Sequence, residues 1–154
     1  MRFPTIEAHD LEGAAYVLPD GLPAGRRLLL LAFRRWHQIL IEGWTSRLTS
    51  MERENPDLSV WEVPALGRQY RPVRTYIDGG MRAGIPDQDV RLHTLTSYTD
   101  LRKLLGSLDL PDTETVHVYL LSDDGEILWA GEGEADGTKI QSLDEALRTS
   151  RPVV

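Results

Sequence analysis

No cysteine occurs in the 154 residues of this chain. Any chemistry that uses a thiolate as nucleophile or redox centre is therefore excluded. The absence reports nothing about redox compartment, because there is no cysteine spacing to interpret. Long hydrophobic runs are missing as well. The longest, Leu28 to Phe33, falls far short of the roughly 20 residues a helix needs to span a bilayer. The first residues, Met1 to Thr5, contain neither an apolar signal core nor an Arg/Ser-rich amphipathic stretch. No secretory or mitochondrial targeting segment is read there, and a cytoplasmic location with no membrane insertion is the expectation. An excess of positive charge is missing too: the formal charge is −7 and the pI about 5.0. That balance argues against a nucleic-acid partner held through phosphates and against general attraction to anionic membranes. Low-complexity tracts and internal repeats are absent.

What is present is the composition of an ordinary globule, 41% apolar and 27% charged. A chain of this length is expected to form one domain and to bury roughly 70% of its unfolded surface without a staple or structural metal. The expected division is an extended lead-in over 1–26, a core over 27–148 and a tail over 149–154. The lead-in is rich in turn formers (Pro4, Gly13, Pro19, Gly21, Pro23, Gly25), with an extended piece at Ala14 to Leu18, and reads as hairpin-like. Arg27 to Phe33 is apolar on both faces, the pattern of a central strand covered on both sides. A helix is predicted over Trp36 to Asn55, with Leu40, Trp44, Leu48 and Met51 in one inward stripe and Pro56 ending it. A strand follows at Asp57 to Val63, stopped by Pro64. A second helix spans Tyr70 to Arg82, with Tyr70, Val73, Ile77 and Met81 on one face, weakened by Gly79 and Gly80. Val90 to Leu95 reads as a short strand, and Tyr98 to Leu105 as a short helix capped by Ser97 or Thr99. Val116 to Leu121 is a second two-sided strand. A tight turn over Ser122 to Gly125 returns it as Glu126 to Gly131, and a helix over Thr138 to Arg148 closes the chain with Ile140, Leu143 and Leu147 inward.

Alternation of strands and helices predicts an α/β fold with a mixed central sheet. Its order, βαβα, a short strand and helix, then a hairpin and a closing helix, resembles the thioredoxin-like superfamily, in its peroxiredoxin-like branch. The resemblance implies a reactive loop between the first central strand and its helix, and a cis-proline before the strand that enters the final hairpin. Here the loop reads Phe33-Arg34-Arg35-Trp36-His37-Gln38, and the proline position falls near Val116, with Pro111 five residues too early. The redox cysteines and the proline are both gone, so no catalytic residue is assigned.

Four loop residues are candidates for binding. Arg34 and Arg35 lie at a predicted helix start and could hold an anion or carboxylate, or be solvated surface charges. His37 has a side chain that titrates near neutrality, yet no nucleophile or metal partner stands beside it. Trp36 joins the arginines as a contact patch, or folds back over the sheet edge. His9, His93 and His117 stand at no metal-ligand spacing to one another or to His37, so neither metal nor cofactor is expected. Gly131, Gly133 and Gly137 follow a hairpin strand without opening a dinucleotide-type unit.

Residues 118–135, Val118-Tyr119-Leu120-Leu121 and then Asp124-Gly125-Glu126-Ile127-Leu128-Trp129-Ala130-Gly131-Glu132-Gly133-Glu134-Ala135, resemble a further family, the mitochondrial ATP synthase F0 assembly factors. Arg82 to Pro86 and Leu101 to Gly106 resemble two shorter segments of that family, so the likeness spans about residues 70–147. Leu128 departs from it, standing where the family often has arginine. The likeness marks Arg82, Pro86, Tyr119, Trp129, Gly131 and Gly133 as motif residues. It implies a redox-inactive protein-binding or assembly and chaperone-type role with an unidentified protein partner. The alternative is an enzyme or small-anion binder using Arg34 to His37 without sulfur chemistry. Trp129, Ala130 and Gly131 are expected to serve the packing of a strand near the sheet edge.

Overall fold

The computed structural model describes residues 1–152; of the expected tail, residues 153 and 154 lie outside the described residues. Seven strands form one mixed sheet: β1 (Ile6–Asp10), β2 (Ala15–Leu18), β3 (Arg27–Ala32), β4 (Ser59–Gly67), β5 (Leu95–Thr99), β6 (His117–Leu121) and β7 (Ile127–Glu132). Their order is β2-β1-β5-β4-β3-β6-β7. Strand β3 is parallel to β4, and β4 to β5, while β6 runs antiparallel beside β3 and β7 antiparallel beside β6. The lead-in supplies β1 and β2, a hairpin that extends the sheet past β5. The helices are α1 (Gln38–Thr45), α2 (Thr49–Glu54), α3 (Arg74–Gly84), α4 (Gln88–Leu92), α5 (Leu101–Ser107) and α6 (Gly137–Thr149).

Every residue of β3 is buried. Leu28 and Leu30 join Trp44, Leu48, Met51, Leu143 and Leu147 in a core under α1, α2 and α6. Leu29 and Leu31 point the other way, into a core with Phe3, Trp61, Leu104 and Tyr119 under α5 and the N-terminal segment. Period-two side-chain alternation divides the strand between the two cores.

Several local expectations are corrected. The helix over 36–55 is broken, because α1 ends at Thr45 and α2 starts at Thr49; Leu48 and Met51 stay buried across the break. Pro64 does not stop β4, which runs on to Gly67. There the ladder to β5 is split, with a bridge at Glu62–Thr94 and regular pairing only from Ala65, so the missing proline N–H falls in the gap. The strand expected at 90–95 is instead α4, capped by Asp87, followed by β5. The helix expected from Tyr98 starts at Leu101, and its cap is Asp100, which accepts from the Lys103 N–H at 3.2 Å. Tyr98 is a buried β5 residue. Tyr70 and Val73 leave the expected inward face because Arg68–Val73 is a 3-10 turn with Pro72 inside. Three residues per turn rotate that row away from Ile77 and Met81.

Arg26, just ahead of β3, is 3% exposed. Its guanidinium clamps Asp57 with two bonds of 2.8 Å. It also donates to Asn55 Oδ1 at 3.0 Å, to the Leu147 carbonyl at 2.5 Å and to Ser150 Oγ at 3.1 Å. One side chain thus ties the start of β3 to the α2–β4 connection and the end of α6. Removing it leaves Asp57 and the α6 carbonyl without their donor. Arg26→Ala is expected to destabilise the fold by about 3 kcal/mol, the scale for losing one partner of a buried pair. Urea midpoints measured against the exposed control Arg102→Ala check this.

Candidate functional site

Beyond Ala32 the chain leaves the sheet at Phe33, turns at Arg34 (φ −136°, ψ 151°) and enters a 3-10 turn over Arg35–His37 that leads into α1. The His37 ring folds back into the bend and is fully buried. Its Nδ1 accepts from the backbone N–H groups of Phe33 at 3.1 Å and Arg34 at 3.2 Å. With Nδ1 accepting, the proton sits on Nε2, which donates to the Glu114 carbonyl at 3.2 Å. Burial pushes the imidazole's pKa below its usual value, and the Glu114 carbonyl opposes this only in part. Protonating Nδ1 would turn it toward two N–H donors.

Arg34 works on the same segment from outside. Its Nε donates to the Thr113 carbonyl at 3.1 Å, and its Nη2 to Thr113 Oγ1 at 3.2 Å and Glu114 Oε1 at 2.7 Å. The β3–α1 loop is therefore latched to the residues entering β6. Val116 is the last residue before that strand, and the cis peptide bond among the described residues is Leu18–Pro19.

The structure brings Arg34 and His37 together on Thr113–Glu114, and turns Arg35 and Trp36 outward. Trp36 is 54% exposed, and its indole meets the His37 ring edge-on, centroids 4.6 Å apart. Ile39 beside it is 71% exposed. Behind His37 the rings continue through Phe33, His117 and Tyr119 to Phe3, each pair 5.8–6.5 Å apart. His117, like His37, is held below the usual histidine range by burial, against the pull of Glu132 and Asp112. Glu62 of β4 lies near α1, with Gln38 beside it and Thr94 Oγ1 donating at 3.3 Å. Burial raises its carboxyl pKa.

Sequence reasoning missed Ile39, Thr113, Glu114 and Glu62. Ile39 had a signal: the inward stripe of α1 leaves it on the outer face. The other three had none, because their partners are distant in sequence.

The motif residues fall in separate places, with only Trp129, Gly131 and Gly133 together, around Trp44. Arg82 pairs with Glu12 at 3.1 Å, and the Pro86 carbonyl accepts from Arg91 at 3.0 Å. Tyr119 is buried edge-on to Phe3. The Trp129 ring lies over Gly131, where an added Cβ would stand 2.5 Å from it. Trp129 also donates to Ser142 Oγ at 2.9 Å and packs edge-on against Trp44. Gly133, at φ +72°, offers its carbonyl to Trp44 Nε1 at 2.8 Å. Each residue therefore has a packing or bonding duty in its own place.

No family model matches the chain, and no curated protein matches it in sequence. Solved structures do match. Arabidopsis thaliana ScoI, determined with copper bound, superposes with a TM-score of 0.65 over 97% of this chain and 99% of that one, at 10% identity. BsSco, a member of the Sco family of cytochrome c oxidase assembly proteins that has a disulfide switch, gives 0.64 over 96% and 92%, at 15% identity. The exposed lipoprotein thioredoxin Etrx1 of Streptococcus pneumoniae strain TIGR4 gives 0.58 over 92% and 98%, at 13% identity. The chain has a thioredoxin-like fold. Copper chemistry does not carry over to its loop. Soft metals select thiolate ligands, the sequence has none, and both His37 nitrogens are engaged. Among the described residues no three His, Cys, Asp or Glu side chains converge as a metal site, and no helix is long and apolar enough to cross a membrane.

Two pH effects follow from the shifted groups. The folded state disfavours protons on His37 and His117. Stability is therefore expected to hold above about pH 6.5, the unfolded histidine pKa, and to fall as pH drops through the lower folded values. His37→Asn, which keeps an acceptor near Nδ1, is expected to flatten that fall in denaturant titrations across pH. Glu62 has the opposite sign, since its raised pKa makes the folded carboxylate unfavourable as pH rises. Glu62→Gln is expected to raise the thermal midpoint at pH 8, with the gain vanishing below about pH 4, where the unfolded carboxyl is protonated too.

Proposed function

We propose that this chain is a redox-inactive binding protein that presents Arg35, Trp36 and Ile39 on the β3–α1 loop to a protein partner. The observation that carries the reading is the setting of Trp36. A half-exposed indole rests on a His37 ring that is itself held by three hydrogen bonds. Large aromatics next to arginine are over-represented among the residues that dominate protein–protein affinity. A pre-ordered loop also loses less entropy on binding. The partner that suits this patch has an apolar pocket for the indole and a carboxylate within reach of Arg35.

The finer form of the reading is an assembly factor. It is supported by the resemblance of residues 118–135 to the F0 assembly family, and by BsSco belonging to a family of cytochrome c oxidase assembly proteins. The alternative, a small-anion binder or sulfur-free enzyme at the same loop, has less behind it. Arg34 is already paired with Glu114, and His37 has no free nitrogen.

A photo-crosslinking residue placed at Ile39 is expected to trap one reproducible protein partner in cells. The purified partner is expected to bind Trp36→Ala at least about tenfold more weakly than the parent chain, a loss in the range of an interface hot spot. A partner that binds Trp36→Ala as tightly as the parent counts against the loop as the contact surface.

A further inference from the structure

We propose that the segment from Arg68 to Gly84, the 3-10 turn and α3 together, is a second interaction surface whose occupant is a short acidic and apolar segment of a partner protein. The segment crosses the surface between β4 and β5 without burying one of its own side chains. Polar bonds fasten it down. Asp78 accepts from the Tyr98 hydroxyl at 2.6 Å and from the Thr96 hydroxyl at 3.2 Å. Arg71 Nε donates to the Tyr98 carbonyl at 3.2 Å, and Arg82 pairs with Glu12. Ile77 and Met81 are half-buried, while Tyr70, Val73 and Tyr76 are left free for something other than the sheet.

They are also ordered. With three residues per turn, positions three apart eclipse one another. Tyr70 and Val73 share a row of the 3-10 turn, 45% and 48% exposed, and Tyr76, three residues on in the first turn of α3, is 86% exposed. Arg68 and Arg71 share the neighbouring row, and Arg74, at the start of α3, is half-buried with its guanidinium 3.3 Å from the His9 ring. Pro72 lies within the 3-10 turn and restricts its backbone, which reduces the ordering cost when something binds.

Charge selects the occupant. The segment carries four arginines against one aspartate, in a chain whose formal charge is −7. Among the described residues, Arg68, Arg71 and Arg74 make no ion pair. Arg68, Arg71 (its Nε on the Tyr98 carbonyl) and Arg74 (beside the His9 ring) have no carboxylate partner, and beside Tyr70, Val73 and Tyr76 they match a ligand with carboxylates along one side and apolar groups along the other. Tyrosine and arginine are the enriched residues of interface centres. Single-stranded nucleic acid fits less well. Val73, between the two tyrosines, offers no π-face for a base.

The test uses the full chain and fluorescence anisotropy with three labelled probes. These are a short peptide of alternating glutamate and leucine pairs, the same peptide with lysine for glutamate, and an oligothymidylate of similar length. The acidic peptide is expected to bind saturably, with affinity falling as salt rises, and the lysine peptide not to bind. Tyr76→Ala and Arg68→Glu, both at exposed positions, are each expected to weaken binding by about tenfold, while Trp36→Ala leaves it unchanged. That last control separates this surface from the β3–α1 loop, so either reading can fail alone. Absent binding, or binding indifferent to Tyr76→Ala and Arg68→Glu, overturns the proposal. So does a preference for the oligothymidylate. Self-association of the chain that Tyr76→Ala abolishes overturns it in favour of a second copy as occupant.

Discussion

Four consecutive leucines in β3 must be kept from water on both sides of the sheet, and the rest of the architecture serves that constraint. Leu28 and Leu30 need α1, α2 and α6; Leu29 and Leu31 need α5 and the N-terminal segment. A strand buried on both faces leaves its ends as the places where polar groups accumulate. At its start stand Arg26, with its guanidinium neutralised by Asp57, and Arg27. Arg27 is buried too, and is held only by backbone carbonyls of Pro23, Ser122 and Asp123. Burial lowers its pKa, against the pull of Asp123 and Asp20. At the other end of β3 is the loop that carries Trp36.

That loop shows how a thioredoxin-like scaffold settles when no sulfur is present. A reactive thiolate needs access and a stabilised charge. This loop holds a neutral imidazole in the interior, and both its nitrogens are used for architecture. The ring substitutes for missing backbone partners at the bend, and Arg34 stitches the outside of the same seam. At this position order stands in place of sulfur chemistry: what faces solvent is an indole resting on a ring held by three hydrogen bonds.

The elements that could be read from sequence were those whose burial is local and apolar. Strands β3 and β6 are unbroken runs, the turn before β7 has its glycine, and α6 shows its stripe. Strand β5 could not be read. Thr96 and Ser97 are buried there because their hydroxyls bond the His9 and Glu7 carbonyls of a strand nearly ninety positions earlier, and a short polar run gives no sign of such a partner. The same limit applied to the site. Arg34 and His37 stood out as residue types, but their partners Thr113 and Glu114 come from across the sheet, so the latch was invisible while its halves were not. The glycines near Trp129 suggested turns, and the close approach of the indole to Gly131 explains one of them more directly.

The polar seating of α3 has a consequence for how this sequence can change. Residues 68–84 contribute no side chain to either core, so substitutions on their outer rows leave the energy of the two leucine layers untouched. The chain thus keeps the residues of its cores and those of this outer surface in different stretches of sequence. The outer rows can change residue by residue while the scaffold that displays them stays the same.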